Sequence, residues 1–136
     1  MAETVSTATP PRRRGRRAGL ILFLLLIVAI LLFAFYVWSA LHIDYSEGER
    51  AGYVQKFSRK GWVCKTWEGE LAMSSVPGVA PTIWPFTVRD EAVAKAISSG
   101  MGHRVVLQYA EHRGVPTTCF GETPYYVDSV KVIDGP

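Results

Sequence analysis

The chain has 136 residues, 49% hydrophobic and 20% charged, which allows one small domain with a short appendage and excludes an intrinsically disordered chain. Its net charge of +3 is unevenly placed, because five of its fifteen basic residues lie between positions 12 and 17. From Asp44 onward, ten basic residues stand against eleven acidic ones. The basic character therefore belongs to the N-terminal tail, and the domain lacks the charge signature of nucleic-acid binding.

The first 17 residues are predicted to form a cytoplasmic basic tail. Its beginning, MAETVSTATPP, is rich in Ala, Thr and Pro and is typical of an unstructured segment. The arginines that follow are interpreted as a membrane-topology signal attracted to anionic lipid headgroups. They are Arg12, Arg13, Arg14, Arg16 and Arg17.

Residues 18–43 are predicted to form a transmembrane helix. Between Leu20 and Trp38 the only polar groups on the side chains are the hydroxyl of Tyr36 and the indole N–H of Trp38. Such a stretch extends roughly 28 Å as a helix, close to the roughly 30 Å hydrocarbon core of a bilayer. A cleaved signal peptide is the main alternative, but its apolar core is usually only about 7 to 15 residues long.

The charges that flank this helix predict its orientation. The arginine cluster precedes the helix, while the other flank carries Asp44, Glu47, Glu49 and a single arginine, Arg50. Positively charged flanks stay in the cytoplasm, so the C-terminal domain is expected on the other side. The prediction is a single-pass protein of the inner (plasma) membrane whose C-terminal domain is periplasmic.

A polar linker with two glycines is predicted at residues 44–52, and it leads into a domain at residues 53–134. Runs of strand-forming residues separated by turn signals predict five strands. These are 53–57, 62–71, 82–88, 104–110 and 125–133. Between the third and the fourth, Asp90 is placed to be the N-cap of a helix that ends at Gly100 or Gly102.

The order of these elements predicts an OB-like fold, a five-stranded mostly-β barrel with one helix between strands 3 and 4. Pro85 is the main exception to the strand pattern, because proline cannot donate a hydrogen bond to a neighbouring strand. We therefore expect an edge or a bulge at this position. Trp84, Phe86 and Val88 share one side of the third strand and are expected in the core.

Several segments resemble an uncharacterised family of small single-pass bacterial envelope proteins. They are YSEGERAGYVQKFSRKGWVCKTWEGELAM, FTVRDEAVAKAI, VVLQY and CFGETPYYVDSVKV, and they cover most of residues 44–133. The resemblance implies an envelope setting. Members of that family often carry the label 6-phosphogluconate dehydrogenase. The residues here contradict that activity, because the chain has no G-x-G-x-x-G motif after a strand and is too short for a dinucleotide domain and a substrate domain.

Cys64 and Cys119 are the two cysteines of the chain, and both fall in the domain assigned to an oxidising compartment. In an OB-like fold they lie near two loops that flank the same face. A disulfide between them is one interpretation, and two unpaired cysteines are the alternative. A bridge closing about 55 residues would stabilise the fold by roughly 4 kcal/mol in the chain-entropy model.

The second predicted strand carries two tryptophans on opposite sides. Alternation places Trp62, Cys64, Thr66 and Glu68 on one side, and Val63, Lys65 and Trp67 on the other. Neither side is purely apolar, so at least one tryptophan should face the barrel interior. An exposed Trp67 beside Lys65 could stack on a ring of a ligand or partner. The candidate contact surface therefore consists of Trp62, Lys65 and Trp67.

No catalytic, metal or cofactor site is predicted. Nucleophilic catalysis by cysteine needs a nearby base, and neither His103 nor His112 forms a recognisable arrangement with a cysteine. Metal-ligand spacing and phosphate-binding glycine motifs are absent from the sequence. Nucleic acid is not expected as a partner, because the domain is near neutral and is predicted to face away from the cytoplasm.

These observations predict a non-catalytic binding or adaptor module of the bacterial cell envelope. Its partners would be the lipid bilayer and either another envelope protein or an extracytoplasmic ligand. The alternative is a thiol-based redox protein or enzyme that uses Cys64 and Cys119.

Overall fold

The computed structural model describes residues 13–73 and 76–133. Its elements are α1 (Arg13–His42), β1 (Ser46–Lys60), β2 (Thr66–Met73), β3 (Thr82–Val88), α2 (Glu91–Ser99), β4 (Arg104–Glu111) and β5 (Tyr125–Ile133). The strands close into a barrel in the order β1-β2-β3-β5-β4. Five strands in a closed barrel, with one helix between β3 and β4 in the chain, confirm the predicted OB-like fold.

Helix α1 begins earlier than the sequence pattern indicates. Arg13 is its first residue, so the arginines from Arg13 to Arg17 are helical, whereas the prediction started the helix at residue 18. Arg12 and the residues before it lie outside the described residues. The part Gly15–His42 is long and apolar enough to cross a membrane and is not buried, a test that a signal sequence also passes.

The predicted linker at residues 44–52 is wrong, because β1 already begins at Ser46. The first half of β1 pairs with β4 in antiparallel register, from Ser46 opposite Glu111 to Tyr53 opposite Arg104. Gly48 and Gly52, the two glycines of the predicted linker, are packed closely in the strand and are not turn residues. A Cβ on Gly52, for example, would collide with the backbone of β2. A polar segment that contains two glycines therefore forms a strand here.

Strand β2 begins later than predicted, at Thr66 instead of residue 62. Residues 61–65 form the loop that reverses the chain between β1 and β2. The predicted alternation of Trp62, Val63 and Cys64 along a strand is therefore wrong, because these residues are not paired with a neighbouring strand. From Thr66 onward the alternation applies.

The core lies between the strands and α2. Its buried apolar side chains come from all five strands and from the helix, and they are Val54, Leu71, Trp84, Phe86, Val88, Ala94, Ile97, Val105, Leu107 and Val127. The expectation that the inward residues of the third strand are core is confirmed. Arg50 closes over this core with its guanidinium carbon 4.9 Å from the centre of the Trp84 ring.

Pro85 is accommodated because β3 has one sparsely paired edge. Over its whole length β3 pairs with β2, but among the described residues its only bridge to β5 is between Thr87 and Tyr126. The predicted edge position of Pro85 is confirmed. Helix α2 is also capped as predicted, with the Asp90 carboxylate accepting a hydrogen bond from the Ala92 N–H at 2.7 Å and Gly100 at the C-cap.

Candidate functional site

A disulfide joins the loop between β1 and β2 to the loop between β4 and β5. Cys64 and Cys119 are bonded, and their Cα atoms lie 4.9 Å apart. Of the two interpretations of these cysteines, the structure has the disulfide, and the alternative of two unpaired cysteines is wrong. The first loop is called L12 (61–65), the second is called L45 (112–124), and L12 together with Cys119 is called the tip.

L12 reverses the chain between a glycine, Gly61, and the disulfide-bonded Cys64. Gly61 has a φ of 130°, a conformation that other residues rarely adopt. A Cβ atom at this position would overlap the carbonyl oxygen of Cys64, so the reversal needs glycine. The disulfide at Cys64 ties the other end to L45 and limits the conformational freedom of the loop.

The apolar side chains of the tip project into solvent. Trp62 is 101% exposed and Val63 is 95% exposed. Lys65 is exposed beside them, and an open depression of ≈ 280 Å³ lies between Trp62, the disulfide and Thr118. Two of the three predicted contact residues, Trp62 and Lys65, thus lie together at the tip.

Trp67, the third predicted contact residue, is part of the barrel packing. Its ring stacks on Phe57 with centroids 5.1 Å apart and an interplanar angle of 10°. Its indole N–H donates a hydrogen bond to the carboxylate of Glu91 in α2 at 2.9 Å. The open question of which tryptophan faces the interior is answered, since Trp67 packs against the core and Trp62 does not. Trp67 is therefore removed from the candidate contact surface.

The beginning of L45 contacts the segment that follows α1. The guanidinium carbon of Arg113 lies 3.7 Å from the centre of the Tyr45 ring, a cation–π contact. Next to it, Nδ1 of the buried His112 lies 3.4 Å from a carboxylate oxygen of Asp44. L45 therefore connects two places, the chain just after α1 and the tip at the other end of β1.

Between these ends, L45 is held to the barrel by a buried carboxylate. Glu68 accepts hydrogen bonds from the hydroxyls of Thr66 at 2.6 Å and Thr87 at 2.7 Å, and from the backbone N–H of Glu122 at 3.1 Å. Thr87 also bonds to the hydroxyl of Thr123 at 2.9 Å. The hydrogen bonds of Glu68 were not predicted from the sequence. The available signal was a threonine and a glutamate at alternate positions of one strand, which place two polar groups on the same side.

Positive and negative charges alternate on the outer face of β1 and β2. Lys56 lies 3.8 Å from Glu70, and Lys60 lies 3.7 Å from Glu122 of L45. Both pairs are partly exposed, so each contributes little to stability. In both pairs the charge of the lysine is offset by a neighbouring carboxylate.

Tyr126 lies under L45 beside His112, with ring centroids 4.8 Å apart. Burial raises the pKa of its hydroxyl, because the charged phenolate would lose its hydration. The nearby Glu68 raises this pKa further, and Arg89, whose guanidinium carbon lies 5.8 Å from the Tyr126 ring, acts in the opposite direction. The phenol is thus held in its neutral form.

The cysteines and the buried carboxylate of the site are already bonded to neighbouring groups. Both cysteines are in the disulfide, so neither offers a thiolate nucleophile. Within residues 13–73 and 76–133, no group of three His, Cys, Asp or Glu side chains could hold a metal ion. The carboxylate of Glu68 accepts three hydrogen bonds, one each from β2, β3 and L45.

Fold and site together define a small OB-like barrel with disulfide-linked loops, preceded by a helix apolar enough to cross a membrane. Residues 44–134 match the model of a domain of unknown function, DUF8785, and the chain belongs to this family. The matched range begins two residues after α1 ends at His42 and two residues before β1 begins at Ser46. No curated protein matches the sequence.

Among solved structures, the chain is similar to the crystal structure of the mitochondrial single-stranded DNA binding protein Rim1 from S. cerevisiae. The TM-score is 0.51 at 10% sequence identity, and the similarity covers 67% of this chain and 96% of that chain. At this identity the likeness concerns the fold alone. It agrees with the OB-like barrel.

Proposed function

We propose that the chain is a single-pass membrane protein that displays a non-catalytic OB-like binding module outside the cytoplasm, with the tip as its contact surface. Trp62 carries this proposal, because it is 101% exposed on a loop that the disulfide ties to L45. An exposed tryptophan on a fixed loop is arranged to be buried by a second molecule, and tryptophan is enriched where burial contributes most to binding. A fixed loop also loses little conformational entropy on binding.

Two further features support the location. Disulfides persist in oxidising compartments outside the cytoplasm, and the bond between Cys64 and Cys119 fits such a setting. The arginines before the apolar part of α1 favour a cytoplasmic N-terminus. Both agree with the envelope setting implied by the resemblance to small single-pass bacterial proteins.

Binding of single-stranded DNA, for which the structural neighbour is named, is not carried over to this chain. The outer face of β1 and β2 pairs Lys56 with Glu70 and Lys60 with Glu122, so its lysines are offset by carboxylates. Surfaces that follow a single strand combine a positive groove with stacked aromatic side chains. The exposed aromatic side chain at this site, Trp62, projects from L12 and not from that face.

A thiol-based redox role is the second candidate, favoured by the solvent exposure of Cys119 and the partial exposure of Cys64. The two roles differ in what the double variant Cys64→Ser/Cys119→Ser loses. A redox protein loses its activity while the tip still meets its partner, whereas a binding module keeps its contact with reduced strength because L12 is no longer held.

The proposal is tested in cells with the full chain in two measurements. In the first, a C-terminal tag should be cleaved by protease added to intact spheroplasts, and a protected tag would overturn the proposed topology. In the second, a photoreactive phenylalanine analogue replaces Trp62, and ultraviolet light should link the chain to another molecule. The matched control places the same analogue at Val79, a residue 63% exposed in the loop between β2 and β3. An equal yield of crosslinked product at positions 62 and 79, or no product at either position, would show that the tip is not the contact surface.

A further inference from the structure

We propose that the tip contacts the lipid surface of the same bilayer that α1 crosses, with Trp62 and Val63 lying among the headgroups. This inference rests on the proposed function, since it needs α1 as a membrane anchor and the tip as the contact surface. It names the partner of that surface.

The apolar pair has the chemistry of an interfacial anchor. Trp62 and Val63 are adjacent and almost completely exposed, at 101% and 95%. Tryptophan is enriched at the boundary between hydrocarbon and water, because its ring is apolar and its indole N–H can still bond to water or a headgroup. Valine adds apolar area to the same loop. Together they offer a small wedge that needs no shaped pocket.

Basic residues flank the pair. The segment reads RKGWVCK, with Arg59 and Lys65 exposed on either side of the wedge and Lys60 partly exposed. Lys60 is paired with the carboxylate of Glu122, 3.7 Å away. Arg59 and Lys65 remain to give the tip a positive charge, which is complementary to anionic lipid headgroups.

The size of the patch favours lipid over a protein partner. A stable protein–protein interface buries about 800 Å² on each side, from roughly 20 to 30 residues. The wedge consists of two apolar side chains, and Lys60 and Lys65 lie two positions away on either side of it. A lipid surface accepts such a wedge without matching its shape, and the contact is strengthened because a membrane-tethered domain meets that surface as an intramolecular event.

L45 keeps the tip within reach of the bilayer. Tyr45 follows the end of α1 by three residues and contacts Arg113, while Cys119 is bonded to Cys64 in L12. The chain from Arg113 to Cys119 is about six residues long and can extend at most about 22 Å. The tip therefore stays within a few tens of ångströms of the point where the chain leaves α1. Because this distance is short, the lipid surface that the tip meets is that of the bilayer crossed by α1.

The experiment uses the full chain in nanodiscs, which present only the bilayer that holds α1. The photoreactive phenylalanine analogue replaces Trp62, or Val79 as the control, and the products are weighed by mass spectrometry. In discs with phosphatidylglycerol, the peptide that contains residue 62 should gain the mass of one lipid, and the peptide that contains residue 79 should not. The yield should not change on dilution of the discs, since the contact is made within one disc.

The basic residues are tested in the same discs. The variants Arg59→Gln and Lys65→Gln should each lower the adduct yield up to about fivefold in anionic discs. They should have little effect in discs of phosphatidylcholine. Equal yields in both lipids would overturn the electrostatic part of the inference, and a missing lipid adduct at position 62 would overturn all of it.

The outcome in cells separates this inference from the proposed function. Adducts of residue 62 with lipid support both. Adducts with a protein and none with lipid overturn the lipid inference, while the tip remains the contact surface of the proposed function. Adducts with neither overturn both.

Discussion

The carboxylate of Glu68 accepts a hydrogen bond from the hydroxyl of Thr87 at 2.7 Å, and both side chains are buried beneath L45. The same carboxylate accepts the backbone N–H of Glu122 at 3.1 Å, so one buried group joins β2, β3 and L45. Its partners are all neutral donors. Such a group stabilises a structure only while every bond is made, because an unpaired buried polar atom is costly.

Replacing Glu68 by Ala should therefore destabilise the barrel by about 2–4 kcal/mol, because Thr87 and the N–H of Glu122 lose their acceptor. Chemical denaturation of the full chain in detergent micelles measures this change. Hydrogen exchange should increase first in L45, at Glu122 and Thr123, because their anchor is gone. The backbone amides of β3 away from this network should exchange as before.

The matched control is Glu70→Ala, on the same side of the same strand. Glu70 is partly exposed and lies 3.8 Å from Lys56, so its removal should cost less than about 1 kcal/mol. Similar losses for the two variants would show that charge on this face matters and that the buried network does not.

The disulfide should contribute about 4 kcal/mol to the stability of the full chain, because it closes a loop of 55 residues. The comparison is between the native chain and the variant Cys64→Ser/Cys119→Ser, both unfolded by denaturant in detergent micelles. A reductant should destabilise the native chain to the same level and leave the variant unchanged. A native chain that is insensitive to a fully effective reductant would contradict this stabilisation.

The overall fold could be predicted because its signals are local. Strand runs bounded by Gly, Pro and Asp residues gave the third and fifth strands with their observed limits, 82–88 and 125–133. The N-cap Asp90 marked α2 for the same reason. The linker was wrong because glycine in a strand and glycine in a turn look alike in sequence. Only the packing of Gly52 against β2 distinguishes them.

The candidate site was less predictable because it depends on contacts between distant residues. Cysteine count and compartment indicated a bond between Cys64 and Cys119, but its formation depends on a distance that sequence does not contain. Strand alternation was extended through Trp62, which lies in a loop, and it left open which of Trp62 and Trp67 packs against the core. Strand alternation places Thr66 and Glu68 on one side of β2, but it does not indicate that Thr87 and L45 meet them there.

Gly61→Ala should loosen the tip. The positive φ costs a residue with a side chain about 1–2 kcal/mol, and the new Cβ would also overlap the Cys64 carbonyl oxygen. Gly78→Ala is the control, because Gly78 also has a positive φ, 88°, but open space around its Cβ position. Thermal unfolding should show the larger loss for Gly61→Ala. Equal losses would mean that L12 relaxes and that its backbone is not fixed.

Alkaline pH should destabilise the barrel through Tyr126. Its folded pKa is raised above the ordinary value of 10.0, chiefly by burial, so the folded state keeps its proton when the unfolded chain begins to lose it. This tyrosine therefore contributes its full stabilisation below about pH 10 and loses it progressively as the pH rises from there through the folded pKa. Tyr126→Phe keeps the ring beside His112 and removes the ionisable group, so its unfolding free energy should fall less steeply above about pH 10. Tyr53→Phe, an exposed tyrosine of β1, is the control. Parallel slopes for the native chain and Tyr126→Phe would show that the buried phenol does not govern the alkaline loss.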